Sequence, residues 1–253
     1  MREVLRQVRY TNKAFWRNPA SAFFTFVFPL LFLVILTSLL GNGTADVGGG
    51  ETIKVSTYYV FSMAAFGLVS ACYTNIAMSV IFSREEGVLK RIRGTPLSAR
   101  SYLSARVLHA SLVGFLLVAI TVVFGVVAYG AHVPDGQHLF QFLVTLFVGA
   151  ACFAAIGLAI TGIVPNADAG PPIVNAVIFP LLFVSGVFFK VDSTSPGWVR
   201  WVGRIFPVKH LIDAMRDSYL GIGFHWSDVL VLAVWAVVGV VFAVRTFKWE
   251  PSR

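Results

Sequence analysis

Residues 209–217, KHLIDAMRD, carry Asp213 and Asp217 four positions apart. That spacing puts two carboxylates on one face of a helix, an arrangement that metal-dependent lipid transferases use. Such enzymes need further acidic motifs, and the chain lacks these as well as H-E-x-x-H and G-x-S-x-G. Lys209 and Arg216 lie at helical spacing from the two aspartates, which predicts ion pairs rather than a catalytic centre. A denser ionic stretch is residues 83–98, SREEGVLKRIRGTPLS, with Arg84, Glu85, Glu86, Lys90, Arg91 and Arg93. Ser83 followed three residues later by Glu86 reads as a capping box, the mark of a helix start. Val88, Leu89 and Ile92 share one face, Gly94 suits a left-handed helix end, and Pro96 forbids continuation. Glu85 and Glu86 suit the positive end of the helix dipole, and Lys90, Arg91 and Arg93 the negative end. The pattern predicts a rigid helix of about three turns, apolar on one side. No G-x-x-x-x-G-K-[ST] phosphate loop occurs, so the chain is not expected to hold ATP in that manner.

The elements that must position these residues are membrane spans. The chain has 253 residues, 57% hydrophobic and only 13% charged, with a mean hydropathy of +0.78. Soluble domains carry about 25% charged residues. Six runs are apolar enough to cross a hydrocarbon core of about 30 Å. They cover roughly 21–41, 57–82, 106–130, 138–163, 171–189 and 226–245. The first is too long for a signal-peptide core and has no small-x-small cleavage site after it, so it is expected to stay. Cys72 and Cys152 lie inside apolar runs and read as packing residues rather than a disulfide. The fold class is therefore an all-α integral membrane protein, one domain over residues 1–253.

Fourteen of the Lys and Arg residues fall on the side of residues 1–20, the 83–106 segment and the tail, and six on the other side. The positive-inside rule then predicts both termini in the cytoplasm, and the net charge of +8 reads as topology and attraction to membrane lipid rather than nucleic-acid binding. Within residues 1–20, Val4, Val8, Thr11 and Phe15 follow helical spacing while Arg2, Arg6, Arg9 and Lys13 take other faces. This predicts a helix lying in the membrane surface. Residues 42–56 read as a Gly-rich linker. Residues 190–225 read as two short external helices, one starting at Ser195-Pro196 and the next following Pro207 and ending at Gly221.

REEGVLKRIRGTPLS resembles the coupling-helix segment of type-2 permeases of ATP-binding-cassette exporters, commonly R-E-E-G-T-L-K-R-L-R-x-T-P-L. Arg84, Glu85, Glu86, Gly87, Leu89, Lys90, Arg91, Arg93, Thr95, Pro96 and Leu97 match, and Val88 stands where Thr is common. The last third is also similar, at Asn175, Pro180, Ser185-Gly186, Phe188-Phe189, Pro196-Gly197-Trp198, Pro207 and Asp213-Ala214-Met215-Arg216; Lys190 stands where Pro is often found.

The resemblance implies a permease in the plasma (inner) membrane of a bacterium, working as a homodimer or beside a paralogous permease. It implies a separate ATPase subunit that carries ATP and Mg, with no cofactor or metal in this chain. Coupling to that ATPase would fall to Arg84, Glu85, Glu86, Gly87, Leu89, Arg91, Ile92, Thr95 and Pro96. By the same resemblance spans one, two and five line the exit path, with Tyr59, Asn75, Ser79, Asn175 and Ser185 as polar members, although each also suits a hydrogen bond between helices. Pro29 and Pro180 sit in an internal echo, FPLLF at 28–32 and 179–183, and are expected to kink spans one and five at the path or dimer seam. An amphiphilic drug or lipid fits so uncharged a path, and the motif looks closest to the drug-resistance, daunorubicin-type branch. Polysaccharide or glycolipid export is the alternative. A secondary transporter is the remote rival, because His109 is the one titratable candidate well inside a span.

Overall fold

The computed structural model describes residues 2–40, 43–48, 51–95, 97–131, 134, 136–189, 191, 195–221 and 223–247. The chain enters through α1 (Arg2–Trp16), whose Val4, Val8, Thr11 and Phe15 are half-buried while Arg2, Arg6, Arg9 and Lys13 are exposed. Its Trp16 ring stacks on Phe26, and Phe15 meets both Phe26 and His109 edge-on. The expected amphipathic helix is thus present, with its half-buried face against Phe26 and His109. Pro19 opens α2 (Pro19–Leu40), where a missing N–H costs nothing in a first turn.

Five helical stretches are long and apolar enough to cross a membrane: Ala22–Leu40, Val55–Glu85, Ser101–Tyr129, Gly136–Ile160 and Trp226–Thr246. The second is α3 (Val55–Val69), a π turn (Ser70–Thr74) and α4 (Asn75–Glu85) in unbroken succession, and it forms the core. Val60, Phe61, Met63, Leu68, Cys72 and Tyr73 are fully buried along it. Against it pack α2, α6 (Ala99–Tyr129) and α7 (Gly136–Ile160), and α11 (Trp226–Thr246) packs on α7. Their outer faces expose Phe24, Leu39, Val127, Phe147, Leu230 and Val244, an apolar surface that a lipid phase accepts.

Three expectations need correction. The fifth apolar run forms only α8 (Gly170–Val184), 15 residues or about 22 Å, rather than a helix over 171–189. Gly186, at φ +92°, takes the chain out of the helix, and hydroxyls of the core helix hold the turn that follows. The Gly-rich linker contains an antiparallel hairpin, β1 (Thr44–Gly48) with β2 (Glu51–Lys54), paired Thr44 to Lys54 and Asp46 to Thr52, so the fold is mostly rather than wholly helical. The segment before α6 is shorter in helix than expected: α5 covers only Val88–Arg93.

The expected pair of short helices is found as α9 (Gly197–Ile205), following Pro196, and α10 (Pro207–Leu220), ended by Gly221 in the left-handed conformation. Leu211, Ile212, Met215 and Tyr219 of α10 are buried, as their spacing predicts. The bundle has two distinct ends. One, which we term the basic end, gathers α1, α5, the start of α6 and the C-terminal ends of α7 and α11, where Gly162 abuts Thr246. The far end carries α9, α10 and the turn after α8, with Gly221 against His138.

Candidate functional site

The helix of span two runs on through Glu85, and this settles how the ionic segment is built. Ser83 does not start a helix: it is buried inside α4, and its Oγ accepts from Arg106 at 3.1 Å and from the Tyr102 hydroxyl at 3.3 Å. The capping-box pattern fails because the backbone there is already within a helix, so no orphan N–H awaits Ser83. Glu86 forms the C-cap of α4, and Gly87 follows at φ +68°, ψ 14°. The left-handed residue is therefore Gly87; Gly94, at φ −82°, is not. Between them α5 has six residues, under two turns rather than three. Arg91 donates to the Glu86 carbonyl at 3.1 Å, Thr95 Oγ1 donates to the Ile92 carbonyl at 2.8 Å, and Ser98 caps α6 by accepting from the Ser101 N–H at 3.1 Å. Pro96 lies outside the described residues.

The segment has an inner and an outer side, divided differently from the expectation. Leu89 is fully buried and belongs to the core, and Val88 and Ile92 are half-buried beside it, so the apolar face is already covered by the bundle. Arg84 is 2% exposed, and its guanidinium donates to the carbonyls of Thr161 at 2.9 Å and Val164 at 2.7 Å. These carbonyls follow α7, where helix C-termini leave acceptors without intrahelical donors. Arg84 thus clamps the end of span two to the end of α7. Outside remain Glu85, Glu86, Lys90, Arg91 and Thr95, with Gly87 half-buried.

The residues expected along a path separate into two groups. Tyr59 donates to the Phe188 carbonyl at 3.0 Å, and Ser185 is buried with its hydroxyl on the Leu181 carbonyl of its own helix. Both act as structural bonds. Their companions were not singled out from the sequence: Tyr58 donates to Gly186 O at 2.5 Å and Tyr73, in the π turn, to Val174 O at 3.1 Å. Three tyrosines of span two therefore hold α8 and its following turn. By contrast Asn75 lines open space, Pro29 is buried against a groove, Asn175 is half-buried on α8, and Pro180 is exposed on its outer face.

Two clefts flank span two. One, of about 560 Å³ at the basic end, is walled by α1, α4 and α6 and includes Asn75, Ser79, Glu86, Arg106 and His109. The other, of about 490 Å³, lies between α2 and the π turn, with Phe24, Phe28, Pro29, Phe66 and Met78 in its walls.

At the far end the aspartates of α10 form the expected ion pairs. Lys209 lies 2.9 Å from Asp213, and Arg216 lies 3.1 Å from Asp213 and 2.7 Å from Asp217. His210 adds a 2.6 Å contact to Asp228 and binds the Arg204 carbonyl at 2.9 Å. The Asp228 hydrogen bond raises the pKa of His210 above its ordinary 6.5, while burial raises that of Asp217 against the opposing pull of Arg216 and His225. Oxygen or nitrogen atoms of Asp217, His225 and Asp228 come within 4.8 Å of one another, but both carboxylates are already engaged by cationic partners.

A core helix clamped at one end and stapled at the other, with a short charged helix between two apolar helical stretches, gives a multi-pass helical membrane architecture. The sequence profile described as ABC-2 type transporter matches residues 3–220, and the chain belongs to that family. It is 27% identical over 240 residues to the "Daunorubicin resistance ABC transporter permease protein DrrB1" of Streptomyces coeruleorubidus, covering 93% of this chain and 81% of that protein. It is 24% identical over 222 residues to the "Inner membrane transport permease YadH" of Escherichia coli (strain K12), covering 86% and 80%. A 32% identity over 213 residues links 79% of the chain to 28% of "ABC transporter G family member 20" of Dictyostelium discoideum. The chain is a membrane permease subunit of an ABC transporter.

Proposed function

We propose that this permease is the membrane half of an ATP-driven exporter with six spans, α8 and its following turn supplying the fifth. In this reading the basic end and both termini face the cytoplasm of a bacterial cell. The observation that carries it is the two-sided construction of residues 84–95: Arg84 and Leu89 are turned into the bundle while Glu85, Glu86, Lys90, Arg91 and Thr95 face outward. A separate ATPase, holding ATP and Mg²⁺, docks on that outer side. Its closure then reaches the spans through a segment already bonded to them, as coupling between sites requires a physically continuous element. A second copy of the chain, or a paralogous permease, completes the complex. The cargo is an amphiphilic drug or lipid-like molecule, a class supported by the daunorubicin resistance for which one relative is named and by the apolar groove at Pro29.

The test is co-purification of the chain with its ATPase and measurement of ATP hydrolysis in liposomes. The permease alone should neither bind nor hydrolyse ATP, and the double variant Lys90→Glu, Arg91→Glu should lose the ATPase while eluting as a folded membrane protein. Hydrolysis by the chain alone, or unchanged ATPase retention in the double variant, would overturn the reading.

A further inference from the structure

The cleft at the basic end holds two polar groups that the fold leaves incomplete. Arg106 donates to three hydroxyls, those of Ser79, Ser83 and Tyr102, and has no carboxylate partner among the described residues. Its Nε has no hydrogen-bond partner either. A guanidinium held only by neutral oxygens keeps its full charge available, and phosphate is its strongest complement. Beside it His109 is 5% exposed, and its Nε2 lacks a partner. Buried polar groups without partners are rare enough to require a reason, and a bound ligand is one.

Other features specify the ligand. Glu86 lines the same cleft, so a purely anionic headgroup would meet repulsion where a headgroup carrying an amine would meet a counter-charge. Asn18, Asn75 and Met78 belong to the walls of both this cleft and the apolar groove beside α2, so the two spaces adjoin. One has a mixed lining of polar and apolar side chains and lies at the level of the amphipathic helix α1; the other is faced mainly by apolar groups, among them Phe24, Phe28, Pro29 and Phe66, and runs toward the middle of the bundle. That is the profile of a headgroup beside an acyl chain.

We propose that the paired clefts bind one phospholipid with a phosphoethanolamine headgroup. Its phosphate sits on Arg106 and His109, its amine faces Glu86, and one acyl chain occupies the groove at Pro29. The proposal rests on the membrane placement given above, in which α1 lies at the interface. Phe15 of α1, edge-on to His109 with ring centroids 5.7 Å apart, forms part of the roof over the headgroup.

The experiment reads lipid retention without nucleotide, so its outcome is separate from whether the chain couples to an ATPase. The permease, alone or with its ATPase, is equilibrated in liposomes of equal phosphatidylethanolamine, phosphatidylglycerol and phosphatidylcholine, extracted, stripped with detergent and weighed by native mass spectrometry. One phosphatidylethanolamine per chain should remain, in about tenfold preference to the other two lipids, and Arg106→Gln should cut retention about tenfold. Glu86→Gln, an exposed change that the fold tolerates, should shift selectivity toward phosphatidylglycerol, and it decides the question if Arg106→Gln does not fold. Equal retention of the three lipids, preference for phosphatidylglycerol by the unaltered chain, or unchanged selectivity in Glu86→Gln would each overturn the proposal.

Discussion

Replacing Arg84 by Met removes the clamp between span two and α7 while preserving most of the side chain's volume. The guanidinium makes two hydrogen bonds, at 2.9 and 2.7 Å, from a residue that is 2% exposed. Bonds of a charged donor contribute about 1.5–3 kcal/mol each, which gives roughly 3–6 kcal/mol gross. Against this, the variant no longer desolvates a charge, so the net loss should be nearer 2–4 kcal/mol. For a chain of this size each kcal/mol moves the melting temperature by about 2–4 °C, so a fall of roughly 4–16 °C is expected. Arg84→Lys, which keeps a charge but cannot span both carbonyls, should fall between. The assay is fluorescence-detected size-exclusion after heating, run on the permease in detergent. In liposomes with the ATPase, the Met variant should hydrolyse ATP with poorer transport per ATP. A melting temperature within about 2 °C of the unaltered chain would show that the two carbonyls find other donors, and the clamp argument would fail.

Leu89→Asp buries a charge in a filled position, so it should lower folded yield severely instead of merely releasing the ATPase, as expression monitored by gel filtration will reveal. His210 has a raised pKa from its bond to Asp228, so the pair's stabilisation is complete below pH 6.5 and fades as pH climbs through the folded pKa. Accordingly His210→Gln should cost more melting temperature at about pH 6 than at about pH 9, and a gap that widens with pH would contradict the pairing. At Gly157 an added Cβ would stand 2.7 Å from the Tyr73 carbonyl oxygen and 3.1 Å from that of Cys72. Gly157→Ala should therefore cost about 1–3 kcal/mol in melting experiments, and a neutral result would mean that α7 can move off the π turn freely.

What could be read in advance was local in sequence. Runs of twenty apolar residues announce spans whatever their neighbours, and the four-residue spacings around Asp213 and Asp217 announce ion pairs that the folded α10 makes. The α1 face and the Gly221 stop followed from the same short-range rules. The failures arose where a local pattern met a non-local fact. Ser83 and Glu86 have the right types and spacing for a cap, yet the helix of span two had not ended. Leu89 looked like a docking face because its cover comes from the bundle. The tyrosine staples reach partners 101 to 129 residues away, and no periodicity in span two signals which carbonyl each will meet. Nor does the π turn have a sequence mark: its five residues, SACYT, continue the apolar run without a Pro or Gly.

These non-local bonds divide span two into two mechanical parts. Below the π turn, Arg84 ties α4 to the end of α7, and Glu85, Glu86 and the left-handed Gly87 stand between that clamp and α5. Above it, Tyr58 and Tyr59 tie α3 to the turn after α8. Force applied to α5 meets first a glycine in a conformation other residues resist, then a clamp that makes α4 and α7 move together. Next along the span comes the π turn itself, whose i to i+5 register is rare and interrupts the α-helical ladder. Tyr73 lies within that turn and holds Val174 of α8, so a change of register there would move the Tyr73 hydroxyl and load its bond to α8. The Pro29 groove borders the same turn through Ser70 and Thr74. In the proposed exporter, a displacement at the ATPase side would therefore be expressed at the five-residue π turn, where the Pro29 groove and the anchor of α8 meet.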